Sequence, residues 1–298
     1  MFGDIGTIGQ LGCDEARSGL SCVVDGVCFG LDWPLDTFLP PISPTRRAVE
    51  HHILQSNPNR RDDYLDSFYL QGGTQIDGLR HHRHAIHGFY NFVSDEDVVE
   101  GGGRLGIDMW ADRGIVGRAV MLDVDAYLLA HRGRGLDQRK GESFPAALFD
   151  EVAAWERVEL RRGDIVLFRT GWTKHYLEHL SAEERHGLPG NLVSPGLLQE
   201  RATLQWLTER QVSVIASDNI GVEALPVADS SPFFDIDPDG LMHPAMIALH
   251  GMALGELWRL DALAQACHYD GRFDMLLCSK PLYMPGGVGS PANAIAIR

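Results

Sequence analysis

Basic residues are scarce in this chain of 298: 26 Lys and Arg stand against 41 Asp and Glu, a formal charge of −15. A surface that neutralises phosphates needs an excess of cations, so a general nucleic-acid binder is excluded. Long hydrophobic runs are missing too. Nothing approaches the ~20 consecutive apolar residues of a membrane-spanning helix. The opening MFGDIGTIGQLG lacks the basic stretch and apolar core of a secretory signal. Cysteine is sparse: Cys13, Cys22, Cys28, Cys267 and Cys278 are odd in number and contain no Cys-x-x-Cys pair. That usage argues against a disulfide framework and a zinc finger, and leads us to expect reduced thiols in a cytoplasmic protein. Internal repeats and low-complexity tracts are absent.

What the chain does have is apolar content, length and histidine. With 44% apolar residues it is not disordered. A chain of this size buries roughly 75% of its unfolded surface, so it needs no metal or disulfide merely to fold. Of its 13 histidines, four (His81, His82, His84 and His87) fall within one short segment.

The early prolines, Pro34, Pro40, Pro41 and Pro44, suggest an extended arm over about residues 1–60, lying on one domain that spans 1–298. Beyond it, strands and helices alternate. Residues 117–124, GRAVMLDV, read as a strand and 144–160 as a helix. Arg162-Gly163-Asp164 turns the chain into a strand at 165–170. Residues 195–211 have helical spacing, with Leu198, Ala202 and Trp206 on one stripe, and lead into a strand at 212–217. Pro244 and Gly251 bracket a short helix, followed by a strand at 252–258. This alternation without a linker predicts one α/β domain with a mixed central sheet.

Two segments concentrate metal-capable side chains. In an extended 71–77 stretch, Gln71, Gln75 and Asp77 share one face, and Gly78 permits a turn toward His81. In the second segment, a helix from 244 to 250 rises roughly 10 Å. A strand from 252 to 256 returns about 13–16 Å, which brings Glu256 back to the level of His243. Asp77, His243 and Glu256 then form a set of two carboxylates and one imidazole, with Gln71 and Gln75 as extra oxygen donors. Such a set suits one divalent ion, Zn²⁺ or Mn²⁺. The ion would make hydroxide available near neutral pH, and His81 could carry the proton. Each residue also has a plainer reading: Asp77 as a turn residue, His243 as a cap, Glu256 as an exposed edge group.

The frame Gln71-Gly-Gly-Thr-Gln-Ile-Asp-Gly-Leu-Arg-His81 resembles the signature H-x-G-T-H-x-D-x-P-x-H of the cyclase family of metal-dependent hydrolases, which includes bacterial kynurenine formamidase and isatin hydrolase. Gly73, Thr74, Asp77 and His81 match. RRGDIVLFRTGW, SPGLLQERATLQWLTERQVSVIASDNIGVE, HPAMIALHGMALGELWRLDAL and PLYMPGGVGSPANAIAI extend the resemblance over most of the chain after about residue 60. The resemblance implies a swivelling β/β/α-type fold and hydrolysis of a small amide, lactam or lactone. It also implies Asp77, His243 and Glu256 as ligands and His81 as acid/base. Gln71 and Gln75 stand where the signature has histidines and Leu79 where it has proline, a pattern resembling a variant branch. One ion is therefore expected in place of two.

Candidate substrate contacts are Trp33, Phe68, His82, His84, Phe89, Tyr90 and Trp110. Asp218 and Glu223 are candidate supporting groups, with a turn acid and a surface charge as their plainer readings. The expected partner is a small molecule, with no nucleic acid or membrane, and the resemblance adds a homodimer or homotetramer. Two rivals remain open: a cyclising or ring-opening enzyme of secondary metabolism, and a metal-free binding protein or pseudoenzyme, motivated by the two glutamines.

Overall fold

The computed structural model describes residues 3–298. Nine strands make one sheet: β1 Cys28–Gly30, β2 Gln75–Asp77, β3 Ile115–Asp123, β4 Ile165–Arg169, β5 Val214–Ser217, β6 Ala253–Glu256, β7 Asp274–Ser279, β8 Gly289–Ser290 and β9 Ala294–Ile297. Their order across the sheet is β1-β9-β7-β3-β4-β5-β6-β2-β8. The four central strands, β3 to β6, run parallel. The strands flanking them on both sides pair antiparallel. This is the expected α/β class with a mixed sheet.

The central strands are continuous apolar runs because both faces of the sheet are covered. Ile165 to Phe168, Val214 to Ala216 and Ala253 to Leu254 are buried. Phe149, Phe168 and Trp206 meet in one aromatic cluster of the core. A smaller core gathers Phe38, Ile42, Trp172, Tyr176, Leu188 and Leu257. Among the described residues no helix is long and apolar enough to cross a membrane.

The N-terminal region departs from the extended arm expected over about 1–60, of which residues 1–2 lie outside the described part. A 3₁₀ segment spans Gly3–Gln10 and an α-helix Cys13–Leu20. The helix packs on β3 and β7, and Cys28–Gly30 joins the main sheet against Ala294–Ile297. The residue-60 boundary falls inside an exposed hairpin, Glu50–Asn57 paired with Arg60–Asp66.

Two helices are shorter than their periodicity suggests. The first covers Leu148–Glu156, ending where Arg157 adopts φ 58°. The second covers Arg201–Glu209. Its lead-in, Gly196–Leu197, pairs with Ser143–Phe144, and the Leu198 amide donates to the Phe144 carbonyl. Leu198 is thus outside the helix and Ala202 is exposed. The buried stripe is Thr203, Trp206 and Leu207. The expected helix after Pro244 is a π-turn, Ala245–Leu249, a form that often marks functional sites.

Candidate metal centre

The centre forms where the sheet changes direction, between parallel β6 and antiparallel β2. Leu254 lies opposite Asp77, and Glu256 opposite Gln75. Paired residues share a face, as do residues two apart in a strand, so Asp77, Gln75 and Glu256 project to one side. Glycines permit this close packing. A Cβ on Gly255 would stand 2.5 Å from the Ala216 Cβ, and one on Gly78 would stand 2.5 Å from the Val288 carbonyl oxygen.

His243 arrives from the turn before Pro244 and is held by Glu223. That carboxylate accepts from the Met242 amide at 2.9 and 3.0 Å, from the His243 amide at 3.1 Å and from His243 Nδ1 at 2.5 Å. Nδ1 is thereby the donor, and Nε2 turns to Glu256 Oε1 at 3.0 Å. One donor atom each from Asp77, His243 and Glu256 lie within 4.8 Å of one another.

Charge is the informative property here. Asp77 and Glu223 are fully buried and Glu256 is 5% exposed. Among the described residues, the charge partners of these three carboxylates are His243 and His81, with no Lys or Arg. Burial and the charge of Asp77 push the Glu256 carboxyl up to about 7, against the pull of His243 and Gln75. Burial would depress His243, but Glu223 and Glu256 outweigh it and hold the imidazole well above its ordinary value. Asp77 Oδ2 and Gln75 Oε1 are buried without a hydrogen-bond partner, a costly state for polar atoms. A surplus of buried negative charge, a correctly oriented imidazole and two orphan oxygens fit a divalent cation.

The two glutamines have defined positions, although only 75–77 of the expected extended stretch is strand. Gln75 donates to Glu256 Oε2 through its amide nitrogen. Gln71 donates to Asp77 Oδ1 at 2.6 Å, and its amide nitrogen lies 2.8 Å from His81 Nδ1. Two acceptors facing one nitrogen make Gln71 a positioning group in place of the expected oxygen donor. His81 is therefore held through Nδ1 by Gln71, while its Nε2 faces Asp77 Oδ2 at 3.8 Å, beyond hydrogen-bond distance. His82 lies with its ring centroid 5.2 Å from that of His243.

Four expected substrate contacts have other partners. Trp110 is buried and donates from its indole to the Ile5 carbonyl. Tyr90 packs on Gly251, where a Cβ would meet its ring at 2.5 Å. Phe89 packs against the main core. His84 Nδ1 accepts from the Ile86 and His87 amides, which closes a turn. Trp33 and Phe68 do line a cleft with Phe38, Arg46, Tyr69 and Thr74. This cleft adjoins the loop that carries Gln71. Asp218 lies apart from the triad's donor group. It accepts from Thr170 N, Thr170 Oγ1 and Gly171 N at 2.7–2.9 Å, and burial pushes it up to about 7.

Three supporting residues were given no role from the sequence, although Thr74 matches the signature frame. Arg46 donates to the Gln71 carbonyl. Thr74 Oγ1 donates to the Leu257 carbonyl at 2.8 Å. The Trp258 indole donates to the Gln75 carbonyl at 2.9 Å. Of the other two, only Trp258 carried a local signal, an aromatic two residues beyond Glu256.

Residues 34–224 match the family model Cyclase. A crystal structure described as a novel cyclase is 27% identical, with a TM-score of 0.84 over 99% of this chain and 96% of that one. Isatin hydrolase A from Labrenzia aggregata is 19% identical, with a TM-score of 0.61 over 95% and 97%. Isatin hydrolase A from Ralstonia solanacearum is 18% identical, with a TM-score of 0.57 over 91% and 92%. The two isatin hydrolases share the fold. No curated protein matches the sequence.

Proposed function

This chain belongs to the Cyclase family, and from that premise we propose that it is a metal-dependent hydrolase acting on the carbonyl of a small amide, lactam or lactone. The observation that carries this reading is the buried carboxylate set of Asp77, Glu223 and Glu256, which the chain leaves without a Lys or Arg. One divalent ion, Zn²⁺ or Mn²⁺, would be held by Asp77, His243 and Glu256, with the orphan Gln75 oxygen as a further donor. When bound, such an ion supplies Lewis acidity and a nucleophilic water near neutral pH.

The remaining work falls to the chain. Glu223 selects the His243 tautomer whose Nε2 lone pair faces the centre, an outer contact of the kind that tunes metal sites. Gln71 fixes Asp77 through Oδ1 and leaves Oδ2 free. The imidazoles of His81 and His82 stand beside the triad, where proton handling and substrate polarisation are needed. The cleft lined by Trp33 and Phe68 offers aromatic surface to a cyclic substrate. A lactam is favoured among the options because two proteins of this fold are isatin hydrolases.

Metal analysis followed by a hydrolysis panel of isatin, N-formylaniline and δ-valerolactone tests the reading. The expected outcome is a bound divalent ion and a product that has taken up water, both lost in D77N. Metal-free protein without turnover would favour the binding-protein alternative, and turnover indifferent to D77N would overturn the mechanism.

A further inference from the structure

His82 is mounted between two anchors. On one side, buried Arg80 donates to four backbone carbonyls, those of Arg104 at 2.7 Å, Val99 at 2.9 Å, Gly286 at 2.8 Å and Gly102 at 2.6 Å. On the other, buried His84 closes its own turn through Nδ1, and its backbone pairs in both directions with Gly88. Between these anchors lie His81, His82 and an exposed Arg83, and the two histidines flank the triad. They differ in one respect. His81 spends Nδ1 on Gln71, and its Nε2 faces Asp77 Oδ2 at 3.8 Å, too long for a hydrogen bond. His82 packs edge-on against His81 at 4.5 Å and against His243 at 5.2 Å between ring centroids. It is half-buried, and its nitrogens are not among the sealed polar atoms without partners. A rigidly mounted imidazole beside a metal triad, with an N–H uncommitted to protein, is a pre-organised donor.

We propose that His82 is a substrate-facing imidazole of the centre, donating a hydrogen bond to the carbonyl oxygen of the bound substrate. This inference rests on the hydrolase reading. The donor works as a neutral ring, so the assignment depends on placement alone. The second imidazole also accounts for a site that keeps its geometry with glutamines at 71 and 75: those amides orient carboxylates, and His82 faces the ligand.

The test compares Zn²⁺-loaded wild type with H82A and H82Q. Three quantities are read: bound zinc by equilibrium dialysis, affinity for benzoate (a carboxylate standing in for a hydrolysis product) by calorimetry, and kcat and KM on isatin, N-formylaniline and δ-valerolactone. Zinc binding is expected to be the same in all three proteins. H82A should lower kcat by about 10²–10³-fold, the usual loss for one such donor, and weaken benzoate by roughly 10-fold. H82Q, which keeps an N–H, should recover part of both. H82A that matches wild type in kcat and benzoate affinity overturns the inference, and so does H82A that loses the zinc. Wild type that binds no zinc overturns the parent reading instead, so the two failures are distinguishable.

Discussion

Two carboxylate clusters sit at the C-terminal ends of the parallel strands, one at β3 and β4, the other at β6. In the first, the chain supplies its own cation. Arg169 reaches Asp123 at 3.1 Å, Asp261 at 2.8 Å and Asp125 at 3.7 Å, and His268 contacts Asp123 at 3.0 Å. In the second, Asp77, Glu223 and Glu256 face His243 and His81 and, among the described residues, no other charge partner. The first cluster is closed by its own guanidinium, and Asp125 and Asp261 are 26% and 30% exposed, so water screens the remainder. The second is open: among the described residues no Lys or Arg reaches it, and we propose that a bound cation supplies the compensation. A buried acid by itself marks neither structure nor function, because the distinction lies in where the opposite charge comes from.

The difference can be broken at either end. The largest effect belongs to the open cluster. D77N or H243A should abolish turnover and the response of stability to metal. At an ion concentration about 1,000 times Kd, wild type gains roughly 4 kcal/mol, on the order of 10 °C in Tm for a chain of this size. Thermal melts with and without chelator should show that gain in wild type and none in D77N. At the closed cluster, R169M should cost about 3–5 kcal/mol, since it strands buried carboxylates. Denaturant titration should give the same loss whether or not metal is present.

Smaller changes sharpen the contrast. E223Q should weaken the ion by about 10–100-fold, the usual scale for a group that orients a ligand, read by competition with a chromophoric chelator. An effect that is small per pH unit lies at the edge of the closed cluster. Glu156, which accepts from the Asp123 amide at 2.9 Å, is pushed up to about 9 by burial. It is protonated in the fold at neutral pH and ionised in the unfolded chain. Its contribution is therefore full below the ordinary carboxylate range and is lost as pH rises toward 9. Wild-type stability should fall over that window by at most about 1.4 kcal/mol per pH unit. E156Q should flatten the fall, as measured by denaturant midpoints across pH.

The sheet centre was legible because β3 to β6 are apolar runs bounded by turn residues, a local signal. The triad was legible for a related reason: Pro244, Gly251 and the strand spacing bring Glu256 back toward His243 within a short stretch. What stayed hidden depends on distant partners. Cys28–Gly30 is a strand only because Ala294–Ile297 pairs with it. Trp110 and Tyr90 looked like pocket residues, yet what they meet is Ile5 and Gly251. Composition cannot tell an aromatic that faces substrate from one that faces a distant backbone. Glu223 read equally well as a surface charge, since its role appears only once the chain folds it under His243. Nor did the residue types show that Gln71 turns its nitrogen to Asp77, because an amide offers both a donor and an acceptor.

The central claim is that the open cluster takes its missing positive charge from a divalent ion. Equilibrium dialysis of wild type and H243A against Zn²⁺ and Mn²⁺, with bound metal measured by elemental analysis, tests it most directly. The account predicts a single ion per wild-type chain and none retained by H243A. Wild type that binds no ion, or H243A that binds as much as wild type, would contradict it.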